Sequence, residues 1–215
     1  MYLDKRAIKN IERIRRVNLM NSITGVKSVN LIGTIDKHNV TNLGIFSSIV
    51  HISSSPPVFG FFVRTNKKVR RDTFENILLN NEYTINHIHK SSVEKSHFTS
   101  AKFDKDISEF KVCNFNEQYI DNFSAPFVAE SHIKMGLRLK EVVDFKSNQS
   151  KLVIGEIEHI FIKEGYLDSD NVVNLEKSSS VCVAGLNTYY LASKLKKLSY
   201  ARVNDLKQQK FYNKK

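Results

Sequence analysis

The sequence predicts a mainly β protein, an antiparallel barrel with a few helices. Three observations lead there. Period-2 alternation of apolar and polar residues dominates the 215-residue chain. Helical signals are confined to short stretches and never alternate with strands in a βαβ rhythm. The densest apolar run, residues 58–63 (VFGFFV), has strand length and falls far short of the ~20 residues of a membrane span. Many strands without parallel crossovers are the signature of an antiparallel barrel.

Taken in order, residues 29–35 (VNLIGTI) alternate, and Asp36-Lys37-His38-Asn39 follows as a turn. Residues 42–48 read as a polar loop with two hydroxyls and several N–H groups beside the ring of Phe46. Pro56-Pro57, with fixed φ and no N–H, end one segment before the strand at 58–63. Asp72 as N-cap with Glu75 three residues on resembles a capping box and opens a helix to about Asn80. Residues 82–88 alternate, as do 127–133 and 137–145, with Gly136 as a bulge or bend between the last two. Residues 91–100 fit a short helix, 152–162 (LVIGEIEHIFI) alternate throughout, and 186–197 fit either type. The expected layout is a charged helical lead-in over 1–16, one domain over 17–193 and a basic tail over 194–215.

Composition bounds the class. At 24.7 kDa, with 41% hydrophobic and 26% charged residues, the chain can bury one substantial core without disulfides. The charged N-terminus has no apolar block behind it, and Cys113 and Cys182 lie far apart without a C-x-x-C, so a cytoplasmic protein is expected. The net charge of +11 sits at the ends. Residues 1–16 carry six Lys/Arg and two Asp/Glu, residues 194–215 eight and one, and residues 17–193 nineteen of each. A nucleic-acid-binding fold carries its basic face on the folded body. A nucleic-acid-binding β-barrel is therefore the weakest of three functional readings.

Several chemistries are excluded by missing motifs. No two glycines are spaced G-x-G and no glycine precedes a lysine, so neither the dinucleotide fingerprint nor a P-loop is present. There is no G-x-S-x-G and no H-E-x-x-H. His87 and His89 would face one side of a strand, but no third metal ligand is marked, and they read as a polar face with no metal. The informative stretch is the basic one. Arg64, Lys67, Lys68, Arg70 and Arg71 fall within eight residues and lead into the helix start at Asp72-Thr73. A helix N-terminus offers free N–H groups and partial positive charge, so bases there can complete an anion site. Lys67-Lys68 read as a solvated turn. For Arg71 with Thr73, a routine cap and an anion site are both compatible with the pattern.

Residues 41–86 resemble the flavin reductase-like family, an antiparallel Greek-key split β-barrel that binds FMN. The resemblance rests on Asn42, Ile45-Phe46-Ser47-Ser48, Ser53 with Pro56-Pro57, Arg71-Asp72-Thr73-Phe74-Glu75-Asn76-Ile77, and Tyr83-Thr84-Ile85-Asn86. His97-Phe98-Thr99-Ser100-Ala101-Lys102-Phe103, Ser108-Glu109-Phe110, residues 125–131 and Ile154-Gly155-Glu156-Ile157 extend it over most of 20–190. Where the family has Ala-Pro before its loop aromatic, this chain has Gly44-Ile45.

The resemblance implies a homodimeric oxidoreductase that takes reducing equivalents from NAD(P)H as co-substrate and passes them to flavin, with FMN, or FAD, as cofactor. Asn42, Phe46, Ser47 and Ser48 would line the ring and ribityl chain. Arg71 and Thr73 would hold the phosphate, and Thr99, Ser100 and Lys102 would close the site. Phe46 fits a core position equally well, and Asn76 fits helix packing as well as flavin contact. The alternative function is a flavoredoxin-like electron carrier reduced by a partner protein. No acid or base need be found, because the hydride chemistry belongs to the cofactor.

Overall fold

The computed structural model describes residues 1–64 and 69–203. Two short helices lead in, α1 (Lys5–Asn10) and α2 (Arg13–Ser22). Asp4 caps the first, its carboxylate accepting the Ala7 N–H at 2.7 Å. The second runs past residue 16 and buries none of its residues. Next come strands β1 (Lys27–Ser28), β2 (Asn30–Ile35), β3 (Thr41–Phe46), β4 (Val50–Ser54) and β5 (Pro57–Arg64). Helix α3 (Asp72–Asn80) and strand β6 (Glu82–His87) follow, then a 3-10 turn over Lys90–Ser92 and helices α4 (Val93–Phe98) and α5 (Glu109–Val112). The remaining strands are β7 (Glu117–Ile120), β8 (Phe123–Val128), β9 (Ile133–Phe145), β10 (Ser150–Ile162), β11 (Val181–Ala184) and β12 (Thr188–Leu191).

The main sheet has seven strands in the order β3-β2-β6-β9-β10-β5-β4, all pairs antiparallel. Its two edges, β3 and β4, are consecutive in the chain and joined only by residues 47–49. A link that short forces the sheet to curl until its edges approach. Ser48, within this link, carries the β4–β5 pairing further: its hydroxyl accepts the Phe62 N–H at 3.1 Å and donates to the Phe62 carbonyl at 3.2 Å. Successive residues of a strand point to opposite faces, and β2 divides its side chains accordingly. Ile32 joins Phe61, Ile77, Tyr83, Ile85, Leu137 and Val153 in the inner core. Leu31 joins Leu43, Ile88, Phe110, Phe115, Val128 and Val183 in a second core on the outer face. Each fully buried side chain of this size contributes about 1.5–3 kcal/mol.

The β7–β8 hairpin lies flat on β2 and β6 because buried polar groups clamp it there. Thr84 Oγ1 donates to the Pro126 carbonyl at 2.7 Å. The Asn86 amide donates to the Leu31 carbonyl at 3.1 Å and accepts the Val128 N–H at 3.0 Å. The approach is so close that a Cβ on Gly33 would stand 2.3 Å from the Pro126 oxygen. Lys134 pegs the far end, its ammonium donating to Gln118 Oε1 (2.6 Å), the Val128 carbonyl (2.9 Å) and the Ala129 carbonyl (3.1 Å). Burial holds its pKa below the usual lysine range.

Four expectations need correction. The segment expected as a loop over 42–48 is mostly strand, since residues 41–46 pair with 30–35 and the ladder overrides the loop-prone Asn, Gly and Ser. The strand expected over 127–133 is two strands, broken at 129–132, where Ser131 Oγ donates to the His87 and Ile133 carbonyls. The irregularity expected at Gly136 falls on the facing strand, where Glu158 is the extra residue between the Ile157–Leu137 and His159–Gly136 pairs. Asp72 is not the N-cap of α3; Arg71 is. Strand β4 was not foreseen at all, and Pro56 sits in its tight turn to β5.

Candidate functional site

Helix α3 buries Phe74 and Ile77 in the inner core and ends at Asn81, whose left-handed φ of 60° lets its N–H reach the Ile77 carbonyl. Its start is built differently. The Arg71 carbonyl takes the N–H groups of Phe74 (2.9 Å) and Glu75 (3.0 Å), and no side chain caps the helix. The N–H groups of Asp72 and Thr73 thus open the positive end of the helix dipole. Asp72 cannot cap because its carboxylate is paired with Arg70 Nε at 2.5 Å.

The Thr73 hydroxyl lies at this opening. Asn42 Nδ2 on β3 donates to its oxygen at 2.9 Å and to Thr34 Oγ1 on β2 at 3.3 Å. Asn76, one turn further along α3, donates to the same Thr34 oxygen at 3.2 Å. Gly44 lets these groups close in on β3: a Cβ there would stand only 3.1 Å from both Thr73 Oγ1 and the Phe46 ring. Free N–H groups and a hydroxyl whose oxygen is already an acceptor together form a cradle for an anion.

Two arginines frame it. Arg71 Nε donates to the Arg64 carbonyl at 2.9 Å, which parks the guanidinium beside the helix start. Arg70, besides Asp72, donates to the Phe103 carbonyl at 3.0 Å, so it ties the segment carrying Lys102 to the same place. Lys67 and Lys68 lie outside the described residues.

The residues named from the sequence therefore divide. Asn42, Thr73 and Asn76 share one hydrogen-bond network with Arg71 at its mouth, and Lys102 is exposed next to the tethered Phe103. Thr99 and Ser100 use their hydroxyls on the turn just before them, bonding the Ser96 carbonyl (2.8 Å) and the His97 carbonyl (2.7 Å). Phe46 packs edge-on against Phe61, ring centres 5.1 Å apart, on the inner core. Ser48 bonds the Phe62 backbone on β5, and Ser47 is half-buried in the link beside it. Sequence reasoning missed Thr34 and the tethering role of Arg70. The first was recoverable: the turn over residues 36–39 sets a hairpin register that puts Thr34 opposite Asn42.

Two hollows near α3 are poor anion sites. A cavity of about 10 Å³, roughly one water, opens beside Asn42 and Asn76 on the side away from Arg71's tether, and Asp36, Asp72, Asp104 and Glu109 line it with Lys105 as its one base among the described residues. Burial raises the Glu109 carboxyl pKa, against the Leu43 N–H it accepts at 3.0 Å. A wider groove of about 550 Å³ lies at Asn80, Glu82 and Tyr119, at the C-terminal and negative end of the helix. The start of α3 has the right sign. Among the described residues no three His, Cys, Asp or Glu side chains converge as a metal site, and no helix is long and apolar enough to cross a membrane.

Comparison with known proteins identifies the family and agrees with the fold. The profile of the flavin reductase like domain matches residues 26–187. A split-barrel-domain protein of Shewanella frigidimarina NCIMB 400, assigned as a flavin reductase, is 39% identical with a TM-score of 0.89, over 94% of this chain and all of that one. Nitrilotriacetate monooxygenase component B of Bacillus cereus superposes with a TM-score of 0.81 over 92% of this chain and 98% of that one, at 17% identity, a likeness of fold. An uncharacterized protein of Aquifex aeolicus (strain VF5) is 24% identical over 152 residues, 70% of this chain and 76% of that protein.

Proposed function

The chain belongs to the flavin reductase-like family, and from that premise we propose that it is an FMN-binding oxidoreductase passing reducing equivalents from NADH or NADPH to flavin. A flavin-related redox role is what the family itself supports. The finer reading is carried by one observation: the start of α3 has no side-chain cap, and Thr73 and Arg71 stand at it beside a glycine. That constellation suits a phosphate monoester. Bound flavin supplies the hydride chemistry. The chain supplies the rest: helix N–H groups and Arg71 bind the phosphate, Asn42 orients Thr73, and Ser47 and the residues around Phe46 flank the flavin. Thr99, Ser100 and Lys102 cover the site from the following segment.

We also read the protein as a cytoplasmic homodimer. Supporting this, α2 buries nothing although Ile14, Val17 and Met20 lie on it, and β4 leaves Val50 and Ile52 exposed. Both cysteines are free thiols. Light scattering should give twice the chain mass of 24.7 kDa; a monomer that keeps its flavin would contradict the dimer.

The decisive experiment is spectroscopic and kinetic. Purified protein should be yellow or turn yellow on adding FMN, and it should oxidise NADH or NADPH faster when free flavin is added. A yellow protein inert to both nicotinamides would instead make it a carrier reduced by another protein. Failure to bind any flavin would refute the proposal.

A further inference from the structure

Thr34 is 0% exposed, so no ligand can touch it, yet it sits under the anion cradle. Its hydroxyl oxygen accepts from two amides, Asn42 Nδ2 at 3.3 Å and Asn76 Nδ2 at 3.2 Å. A hydroxyl has two lone pairs, and both are used. The same Asn42 nitrogen has a second hydrogen, and that one lies on Thr73 Oγ1 at 2.9 Å. An oxygen that accepts along one line cannot aim its own proton back along it. The Thr73 proton therefore points away from Asn42. The opposite sense would reverse the outcome: a carbonyl of Asn42 facing Thr73 would capture that proton, and the cradle would lose a donor.

We propose that Thr34 is a positioning residue, which holds the Asn42 amide nitrogen toward Thr73 so that the Thr73 hydroxyl stands ready as a donor to the flavin phosphate. The inference rests on the reading of the α3 start as a phosphate site. Its physical basis is preorganisation. A donor already oriented spends no reorientation on binding, and a hydrogen bond to a charged acceptor is among the stronger ones. Asn76 completes the arrangement by anchoring Thr34 from the helix side, so β2, β3 and α3 share one fixed hydroxyl.

The test compares FMN with riboflavin, which has the same ring and chain but no phosphate. Dissociation constants for both are measured by flavin fluorescence on the full chain and on Thr73→Val, Thr34→Val, Thr34→Ser and the double valine variant. Thr73→Val should lower the preference for FMN about tenfold, the loss of one charge-assisted bond. Thr34→Val should lower it about three- to tenfold and leave riboflavin binding unchanged, and Thr34→Ser should restore it. The double variant should match Thr73→Val alone, since Thr34 acts through Thr73. Equal weakening of both flavins by Thr34→Val, or full additivity in the double variant, would reduce Thr34 to a structural residue and overturn the inference. An unchanged FMN preference in Thr73→Val would bring down the phosphate-site reading itself, and the inference with it. Should Thr34→Val fail to fold, Asn42→Ala at a half-buried position carries the same test. It should lose the preference to the same extent, and an undiminished preference there overturns the inference.

Discussion

The two halves of the candidate site are held in different ways. On the α3 side, three elements meet in buried hydrogen bonds, from Thr34 through Asn42 and Asn76 to Thr73. On the other side, over residues 99–102, the hydroxyls of Thr99 and Ser100 bond only to the turn before them. That half is fastened at a distance: by Arg70 to the Phe103 carbonyl, and by His97 Nδ1, 2.9 Å from the Tyr189 hydroxyl on β12. The contrast teaches a division of labour. The first half is set before a ligand arrives and can fix a phosphate at little ordering cost; the second can adjust around whatever the phosphate has anchored.

Acid should strike the supports of the second half hardest. His87 ends β6, and its Nδ1 lies 3.2 Å from Ser180 Oγ, just ahead of the β11–β12 hairpin whose Tyr189 meets His97. Burial pushes its pKa down to about 4. As pH falls below about 6.5 the unfolded chain takes up a proton that the native imidazole refuses until about 4. Stability is therefore lost across that window, by about 3 kcal/mol once complete. Comparing thermal unfolding at pH 7 and pH 4 for the parent and His87→Gln cancels the carboxylates common to both. The parent should lose more stability than the variant; equal losses would mean His87 is protonated in the native protein.

Within the first half the largest effect on binding should come from Arg71→Ala. Losing a charge-assisted hydrogen bond of roughly 1.5–3 kcal/mol weakens FMN binding about 10- to 150-fold. Riboflavin binding should barely change. Added salt should weaken FMN binding in the parent more than in the variant, because part of the attraction is Coulombic. Equal losses for the two flavins would assign Arg71 to the fold. No loss for either would pass the role to Arg64, since Arg70 is engaged by Asp72 and Phe103.

Arg70→Ala cuts the tether between the halves. A partly exposed ion pair and one bond to a carbonyl are each worth about 1 kcal/mol or less, so FMN affinity should fall by less than about tenfold. The diagnostic lies elsewhere. Hydrogen exchange over residues 99–104 should quicken while α3 keeps its protection. If α3 loosens as well, the halves are one unit and the contrast between them fails.

How much of this was legible beforehand follows the same divide. The strands at 152–162 and 82–88 declared themselves because period-2 alternation is a local signal, readable within a short window. The α3 start was visible because Arg-Asp-Thr at a helix boundary is a local signal. Residues 42–48 were misread because local chemistry, rich in Asn, Gly and Ser, says loop, while pairing with β2 says strand. Thr34 was readable only through that same pairing. A buried threonine in a strand looks like any other until the hairpin register sets it against Asn42. The Arg70 tether joins residues 70 and 103, a contact that no window of sequence contains.

The smallest effect should come from the tail. Lys197 still touches the body, its ammonium 2.9 Å from Asp168 Oδ2 and close to Asp170. That contact draws the Asp168 carboxyl pKa down to about 2, through the Lys197 hydrogen bond before the backbone N–H groups of Val172 and Asp170. Beyond it, residues 198–215 carry five Lys/Arg and one Asp. They add to the charge of the chain. Truncation after Lys197 should lower the isoelectric point and leave flavin content, FMN affinity and unfolding temperature unchanged. Ionic-strength dependence should also stay the same, because the phosphate site is proposed on Arg71 and the start of α3. A truncated protein that loses flavin would show that the basic tail completes the site, and the second half would then owe its order to a segment outside the 17–193 domain.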